Sequence, residues 1–395
     1  MPEPIHDFRV ADRPLRLGVV TSEVFDTRVG GIGGFGWATR QVCKCFSEQP
    51  GLGVEVMLLM ARRVDRAVTK YLPELHGVRV LWPDASVVKH FRAIRREKLD
   101  LLLTIDLQMS FRLFTWALPG APVIHWIRDP WPEADRAAAA TLRIPGDSAP
   151  AQGLLARDLR GLRYDFLVWR LLRRSALMAA PARFLAPKIP ATYGLKKAEV
   201  HFLPNPLQIE PAPGRTERPS VVVVGRLDPV KRPWLAVAVA EQVPEADFIF
   251  LGNNHFSGPG AWQPGELPPN VRLAGHADEQ EKVRRLSSAW ALLNTSIHEG
   301  LPVTFQEALA CGTPIVSCVD PEQVVSRFGR WVGEAGGDGL ALAPKFADEL
   351  RVLFSDAALR ERLGAAGREW MAATHGREAF LSTFHTLCAK AGVFS

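Results

Sequence analysis

One local pattern repeats along most of this sequence: a short apolar run, a loop, then a helical stretch. Leu15–Thr21, Val54–Met60, Leu101–Ile105 and Val123–Ile127 are such runs, each bounded by polar or turn residues. Strands that are apolar throughout are buried on both faces, which predicts parallel sheets covered by helices. The helical stretch Trp37–Phe46 follows the first run. A second series begins at Ser220–Val224 and continues through a helix around Trp234–Gln242 and strands Phe248–Leu251 and Val271–Ala274. Helix Asp278–Ala289, strand Ala291–Asn294, helix Val303–Cys311 and strand Ile315–Cys318 complete it. Between the two series, Leu203–Pro213 holds four prolines in eleven residues and discourages regular structure. A chain of 395 residues is long enough for two separate cores. The expected class is therefore α/β with domains 1–205 and 206–375. The helical tail Arg360–Ala391 has no strand left to pair with, and 376–395 is expected to pack back on the first domain. Pro130–Ala156 reads as loops and short helices, and Leu154–Met178 as one or two basic amphipathic helices.

Composition narrows the class further. With 47% hydrophobic and 23% charged residues the chain resembles ordinary globular domains. No apolar run is long enough to span a bilayer, and Met1–Arg16 lacks the apolar core of a secretory signal. A cytoplasmic location is expected. Cys43, Cys45, Cys311, Cys318 and Cys388 are scattered, odd in number and without metal-ligand spacing, so they read as buried thiols. No metal or bound cofactor and no nucleic-acid partner are expected. The net charge of +6 suits an acidic ligand such as a nucleotide diphosphate, although a charge spread over a solvated surface accounts for most of it. Arg157–Arg174 and Arg92–Lys98 are basic stretches. They suit contact with the inner face of an anionic membrane, but a domain helix with a solvated basic face is the preferred reading.

The strongest motif runs from His298 to Pro314, beginning His298–Glu299–Gly300–Leu301–Pro302–Val303–Thr304. It reads as a strand end, a tight turn, a helix opened by Pro302, and a Gly312 C-cap with Pro314 beyond. The amides of Val303 and Thr304 would then form an anion site at the helix start. Glu299 just before this helix and Glu307 one turn inside it could bind hydroxyls at opposite ends of one ligand. A second motif, Val223–Val224–Gly225–Arg226–Leu227–Asp228–Pro229–Val230–Lys231–Arg232, runs out of a buried strand that Gly225 ends. Gly225 permits close backbone approach, and Arg226 with Lys231 makes a clamp for a diphosphate where open α/β sheets bind ligands.

Together these stretches resemble the retaining family-4 type of glycosyltransferase, whose fold, GT-B, has two Rossmann-like domains facing each other across a cleft. The resemblance implies that Gly225, Arg226 and Lys231 bind the donor's diphosphate, aided by Gly300 and Leu301. It implies further that Glu299 lies near the donor sugar's hydroxyls and that Glu307 binds the ribose. The family's Pro-Asn-Gly hinge appears here as Pro204–Asn205–Pro206. Gly30–Gly31–Ile32–Gly33–Gly34–Phe35–Gly36 looks like the family's glycine loop under the donor phosphates, with Gly33 and Gly34 fitting its double glycine. His125, at the end of Val123–Ile127, matches a histidine that the family places beside the donor sugar. Asp106, at another strand end, is the candidate acceptor contact.

The implied activity is transfer of a sugar, with retention, from a uridine or guanosine diphosphate donor to a glycan, lipid-linked or small-molecule hydroxyl acceptor. Polysaccharide, glycolipid or cell-envelope glycan synthesis is the implied setting. No Asp-x-Asp motif occurs, so cations rather than a metal would hold the diphosphate. Two rivals remain. Gly31–Gly36 satisfies the dinucleotide pattern of a nicotinamide oxidoreductase, but it lies far from the first strand and no acidic residue ends the second. A non-catalytic nucleotide-sugar binder of the same fold is the other.

Overall fold

The computed structural model describes residues 6–23, 26, 33–61, 71–145, 176–195, 198–212, 214–256 and 263–394. The chain divides into two compact units. The first comprises Met1–Pro130, Gly161–Gln208 and Thr374–Ser395, and the second Trp131–Arg160 and Ile209–Ala373. The last passage between the units follows Ala373 rather than residue 375. More unexpectedly, the segment beginning at Trp131, which the sequence alone assigns to the front half, clusters with the rear unit.

The N-terminal unit is built on strands β1 (Leu15–Thr21), β2 (Val54–Met60), β3 (Glu74–Leu75), β4 (Val78–Leu81), β5 (Leu101–Ile105), β6 (Val123–Trp126), β7 (Ala176–Ala180) and β8 (Val200–Phe202). Their order is β3-β4-β2-β1-β5-β6-β7-β8. Every pairing is parallel except that of the short edge strand β3 with β4. The central strands β1 and β5 are almost wholly buried, as uniformly apolar sequences require. The described helices of the front sequence are α1 (Gly34–Ser47), α2 (Val87–Arg96), α3 (Arg112–Ala117), α4 (Glu133–Ala140) and α5 (Lys188–Tyr193), of which α4 lies in the rear unit. Strand β7 corrects one expectation: Ala176–Met178, read as the end of a basic helix, is buried strand. Small residues with no charge among them fit the sheet interior. The rest of that stretch, including Arg157–Arg174, lies outside the described residues, as do Gly30–Ile32 and Pro213.

The C-terminal unit carries β9 (Ser220–Val224), β10 (Asp247–Leu251), β11 (Val271–Gly275), β12 (Ala291–Asn294), β13 (Ile315–Ser317) and β14 (Gly329–Trp331), ordered β11-β10-β9-β12-β13-β14. All its pairings are parallel. Around them lie α6 (Pro233–Glu241), α7 (Glu279–Ser288), α8 (Val303–Ala310), α9 (Val324–Phe328), α10 (Ala343–Ser355) and α11 (Ala357–His375). The core joins Trp234, Leu235 and Val239 of α6 to Phe346 and Leu350 of α10 and to Phe248 and Phe250 of β10. In both units the strand order reverses beside the first strand, so neighbouring loops part there and leave room for a ligand at the strands' carboxyl ends.

The helical tail is broken at Gly376, and α12 (Arg377–Lys390) belongs to the N-terminal unit. Its Phe380 and Phe384 rings are stacked 5.5 Å apart. Phe384 meets Phe46 of α1 at 5.4 Å and Phe8 at 5.8 Å, and Phe380 meets Trp126 of β6 at 6.1 Å. Among the described residues no helix is long and apolar enough to cross a membrane. All five cysteines are free and buried.

Because Phe384 is fully buried at the centre of this cluster, Phe384→Ala should destabilise the N-terminal unit by about 3–5 kcal/mol. Urea unfolding followed separately in each unit checks this. The transition of the C-terminal unit should not move.

Candidate active site

In the C-terminal unit the site grows from the exits of β9 and β12. Gly225 leaves β9 at φ +148, a conformation that L side chains rarely adopt. A Cβ placed there would lie 3.8 Å from Cε of Lys231, whose side chain runs along that open flank. The Asp228 carboxylate shapes the turn by accepting the Lys231 amide at 3.2 Å. Arg226 projects into solvent and pairs with Asp228 at 3.3 Å.

The next residue anchors the turn. Arg232 is completely buried and sits at φ +48. It donates to the carbonyls of Thr295 (2.7 Å), Ser296 (3.3 Å) and Ala335 (2.8 Å), and to Cys318 Sγ at 3.0 Å. Burial lowers its pKa, an effect that the neighbouring Cys318 opposes. Thr295 Oγ1 donates back to the Lys231 carbonyl at 2.8 Å, and the Ile297 amide to that of Val230 at 2.9 Å. The β9 and β12 exits are thereby laced together.

This lacing brings Lys231 to Glu299, Nζ to Oε1 at 2.6 Å. The same oxygen accepts from Ser296 Oγ at 2.6 Å and Asn294 Nδ2 at 3.1 Å. Asn294 is held in turn, its Oδ1 accepting from Ser317 Oγ of β13 at 3.2 Å. Three donors on Oε1 fix the carboxylate and orient Oε2 as the oxygen free to meet a ligand. Immediately beyond, α8 begins at Pro302 with no side-chain cap, and among the described residues the Val303 and Thr304 amides meet no acceptor. Such a helix start attracts an anion.

Glu307 stands apart from this network. It is 1% exposed, and its Oε1 pairs with Lys282 of α7 at 2.5 Å. The adjacent Gln306 donates to the Leu301 carbonyl at 3.4 Å, tying the helix to the Gly300–Leu301 turn.

In the N-terminal unit the expected residues occupy strand exits and one helix start. Gly33 caps α1 and Gly34 is its first residue, with open space around it. A carboxylate already sits at this pole: Glu23 Oε2 accepts the Gly36 amide at 2.9 Å, and a Cβ on Gly33 would collide with it. A phosphate arriving here would have to displace that side chain. His125 lies within β6, fully buried, rather than at the strand's end. Its Nδ1 is 2.9 Å from Thr104 Oγ1, whose own proton goes to the Asp106 carbonyl at 2.8 Å. With the hydroxyl proton so engaged, His125 Nδ1 is the donor and Nε2 the acceptor.

Arg128 occupies the position just beyond β6. It is buried, its guanidinium lies 4.4 Å over the Trp126 ring, and Nη1 donates to Asn205 Oδ1 at 2.8 Å. Burial lowers its pKa to about 10. Asp106 leaves β5 at φ +70 and accepts the Arg128 amide at 3.3 Å. Burial, reinforced by the charge of Asp129, pushes its pKa up to about 7. The Asn205 amide donates to His375 Nδ1 at 3.2 Å, and the Leu207 amide to the His375 carbonyl at 2.9 Å. The Pro204–Asn205–Pro206 motif thus runs against the segment at His375, just after the chain's last return to the N-terminal unit.

Sequence reasoning missed Thr104, Arg128, Arg232, Lys282, Asn294, Ser296 and Ser317. The Asn294–Thr295–Ser296 run at a strand exit was a usable signal for two of them. Arg232 stood at the end of the second motif without a role, and nothing local marked Lys282. Among the described residues no three His, Cys, Asp or Glu side chains form a candidate metal site.

These features define a two-unit α/β protein of the GT-B architecture with a charged site on its rear sheet. Residues 207–370 match the family model of glycosyl transferases group 1. No curated protein matches the chain in sequence. Among solved structures, HepE of Anabaena in complex with UDP-glucose aligns with TM-score 0.67 and 14% identity, covering 95% of this chain and 100% of that one. Sucrose-phosphate synthase of Thermosynechococcus elongatus aligns with TM-score 0.67 and 16% identity over 95% and 98% of the two chains. A glycosyltransferase of Rickettsia africae gives TM-score 0.62 and 11% identity over 96% and 98%. Residues 207–370 are thus similar to glycosyl transferases group 1, and the chain has the GT-B fold. That similarity counts against the oxidoreductase reading.

Two outcomes follow from the geometry. Arg232→Met strips three buried carbonyls of a donor and should cost about 3 kcal/mol or more in urea unfolding. For Asp106, the folded state keeps a proton that the unfolded chain has already released between the ordinary carboxylate range and about pH 7. Its stabilising contribution is therefore full in acid and lost as pH rises through about 7. Asp106→Asn, which tolerates the same backbone angle, should raise Tm over wild type by about 2 °C at pH 8, with the gain vanishing towards pH 4.

Proposed function

We propose that the protein moves a sugar, with retention of anomeric configuration, from a nucleoside diphosphate sugar to a hydroxyl acceptor without a metal ion. The observation that carries this is the Lys231–Glu299 pair, wired by Asn294 and Ser296 beside the uncapped start of α8. It sets a cation, an oriented carboxylate and free amides at one end of a parallel sheet, the requirements of a diphosphate joined to a hexose. UDP-glucose in the aligned HepE structure supports a uridine donor, with a guanosine donor as the second choice.

In this reading Lys231 and the α8 amides hold the diphosphate, and Arg226 swings from Asp228 to join them. Gly225, Gly300 and Leu301 let backbone close on the phosphates. Glu299 Oε2 takes a hydroxyl of the sugar, and Glu307, paired with Lys282, takes the ribose. The bond from the anomeric carbon to the phosphate oxygen breaks, and its electron pair stays on the diphosphate. The acceptor oxygen bonds to that carbon from the same face, and its proton passes to the departing phosphate. Cationic groups already aimed at the growing charge lower the barrier without reorganising. His125 acts from within β6 by fixing the Asp106 loop through Thr104, and Asp106 meets the acceptor. A cytoplasmic role in polysaccharide, glycolipid or cell-envelope glycan synthesis completes the reading.

Lys231→Ala should lower kcat by roughly 10²–10³-fold with UDP-glucose, as loss of one preorganised electrostatic contact does. Glu307→Ala should chiefly raise KM for the donor. Steady-state kinetics over a panel of nucleotide sugars decides both, and wild-type constants in either variant would refute the assigned role.

A further inference from the structure

The segment around α4 joins the donor site although the sequence places it far away. It follows directly on β6 of the N-terminal unit, yet from Trp131 onward it clusters with the C-terminal unit. Its far end is built into that unit's core: Leu142 is 1% exposed among the core residues, and Ile144 packs against them. Thr141 Oγ1 accepts the Gly337 amide at 3.2 Å. Its near end is tied by Arg136, which donates to the Trp131 carbonyl at 2.8 Å.

Held from both sides, the Trp131 ring lies on His298 with centroids 3.7 Å apart and planes inclined 35°. The Asp135 carboxylate reaches within 3.6 Å of His298 Nδ1. His298 is the residue immediately before Glu299, in a turn with no helix or strand of its own. A carboxylate carried on an irregular turn goes where the turn's backbone goes, and a stacked ring removes that freedom on one side. Glu307 and Lys282, by contrast, sit on helices α8 and α7 and need no such support.

We infer that Trp131 is a positioning residue for the sugar end of the donor site, fixing through His298 the turn that presents Glu299. The inference rests on the donor reading given above. It is specific in one respect: sugar turnover depends on Trp131, and binding of the nucleotide does not.

The test uses the full chain with UDP-glucose and GDP-mannose as probes. It records the rate of sugar release to water and the affinity for free UDP and GDP. Trp131→Ala should lower kcat about tenfold while nucleotide affinity stays within about twofold, and Trp131→Phe, which keeps a stacking ring, should restore most of the rate. A wild-type kcat in Trp131→Ala, or an equal loss of nucleotide affinity, overturns the inference. Should that variant fail to fold, Trp131→Leu keeps apolar volume at the position without the stacking ring. It should lower kcat about threefold at unchanged nucleotide affinity, and an unchanged kcat overturns the inference equally. A wild-type chain that neither binds nucleotide nor releases sugar sinks the donor reading and this inference together. An active wild type with an indifferent Trp131→Ala sinks the inference alone.

Discussion

Arg232 carries its charge inside the C-terminal unit, where its hydrogen bonds go to main-chain carbonyls and a thiol. An uncompensated guanidinium in that place would be prohibitive, so the loops supplying those carbonyls must converge wherever it sits. They do converge, from the β12 exit, the β13 exit and the loop after β14, around the turn leaving β9. The left-handed backbone at Arg232 then sends Lys231 the other way, towards Glu299. The site's geometry is in this sense a consequence of satisfying one buried cation. Its neighbours in sequence gain their direction from it.

The two glutamates of the motif are held by different physics. Glu299 is a half-wired carboxylate, with one oxygen saturated by three donors and the other accepting no hydrogen bond among the described residues. Glu307 is enclosed almost completely and paired with the Lys282 ammonium. A pair of that kind contributes little net stability, because desolvation offsets most of the attraction, but it does keep a carboxylate directed. The first arrangement suits a group whose partner changes during reaction. The second suits a group that grips a part of the ligand that does not react.

The N-terminal unit shows the same preference for strained and buried polar groups at strand exits. Asp106 is a non-glycine residue in the left-handed region, its pKa raised to about 7, next to a buried arginine. Arg128 reaches Asn205, and Asn205 reaches His375, whose pKa burial and the nearby Arg128 and Arg183 depress to about 3. A neutral histidine can accept the Asn205 amide at Nδ1, which a protonated one could not. The strand exit that carries Asp106 and Arg128 is thus tied by a polar chain to the segments of the same unit that hold Asn205 and His375.

Fold class and the rear half of the site were legible from sequence because their signals are local. Short, largely apolar runs bounded by turn residues read as buried strands, and Glu299, Lys231 and Glu307 are marked by Gly, Pro and helix-start residues beside them. The strands missed were short or edge strands such as β3, β8 and β14, where two or three residues carry no period to read, and β7, whose start was read as the end of a helix. Where tertiary structure decided the matter, the cause was a contact between residues remote in sequence. Arg232 looked like one more basic loop residue until four acceptors from distant loops enclosed it. Lys282 sat on a charged helix face with nothing to single it out. Trp131 belonged by position to the front sheet, and only the burial of Leu142 in the other core moved it across. Sequence determines what each segment is able to bury, whereas which distant partner does the burying is settled only when the helices and strands of a unit pack, since that energy depends on surfaces no single segment contains.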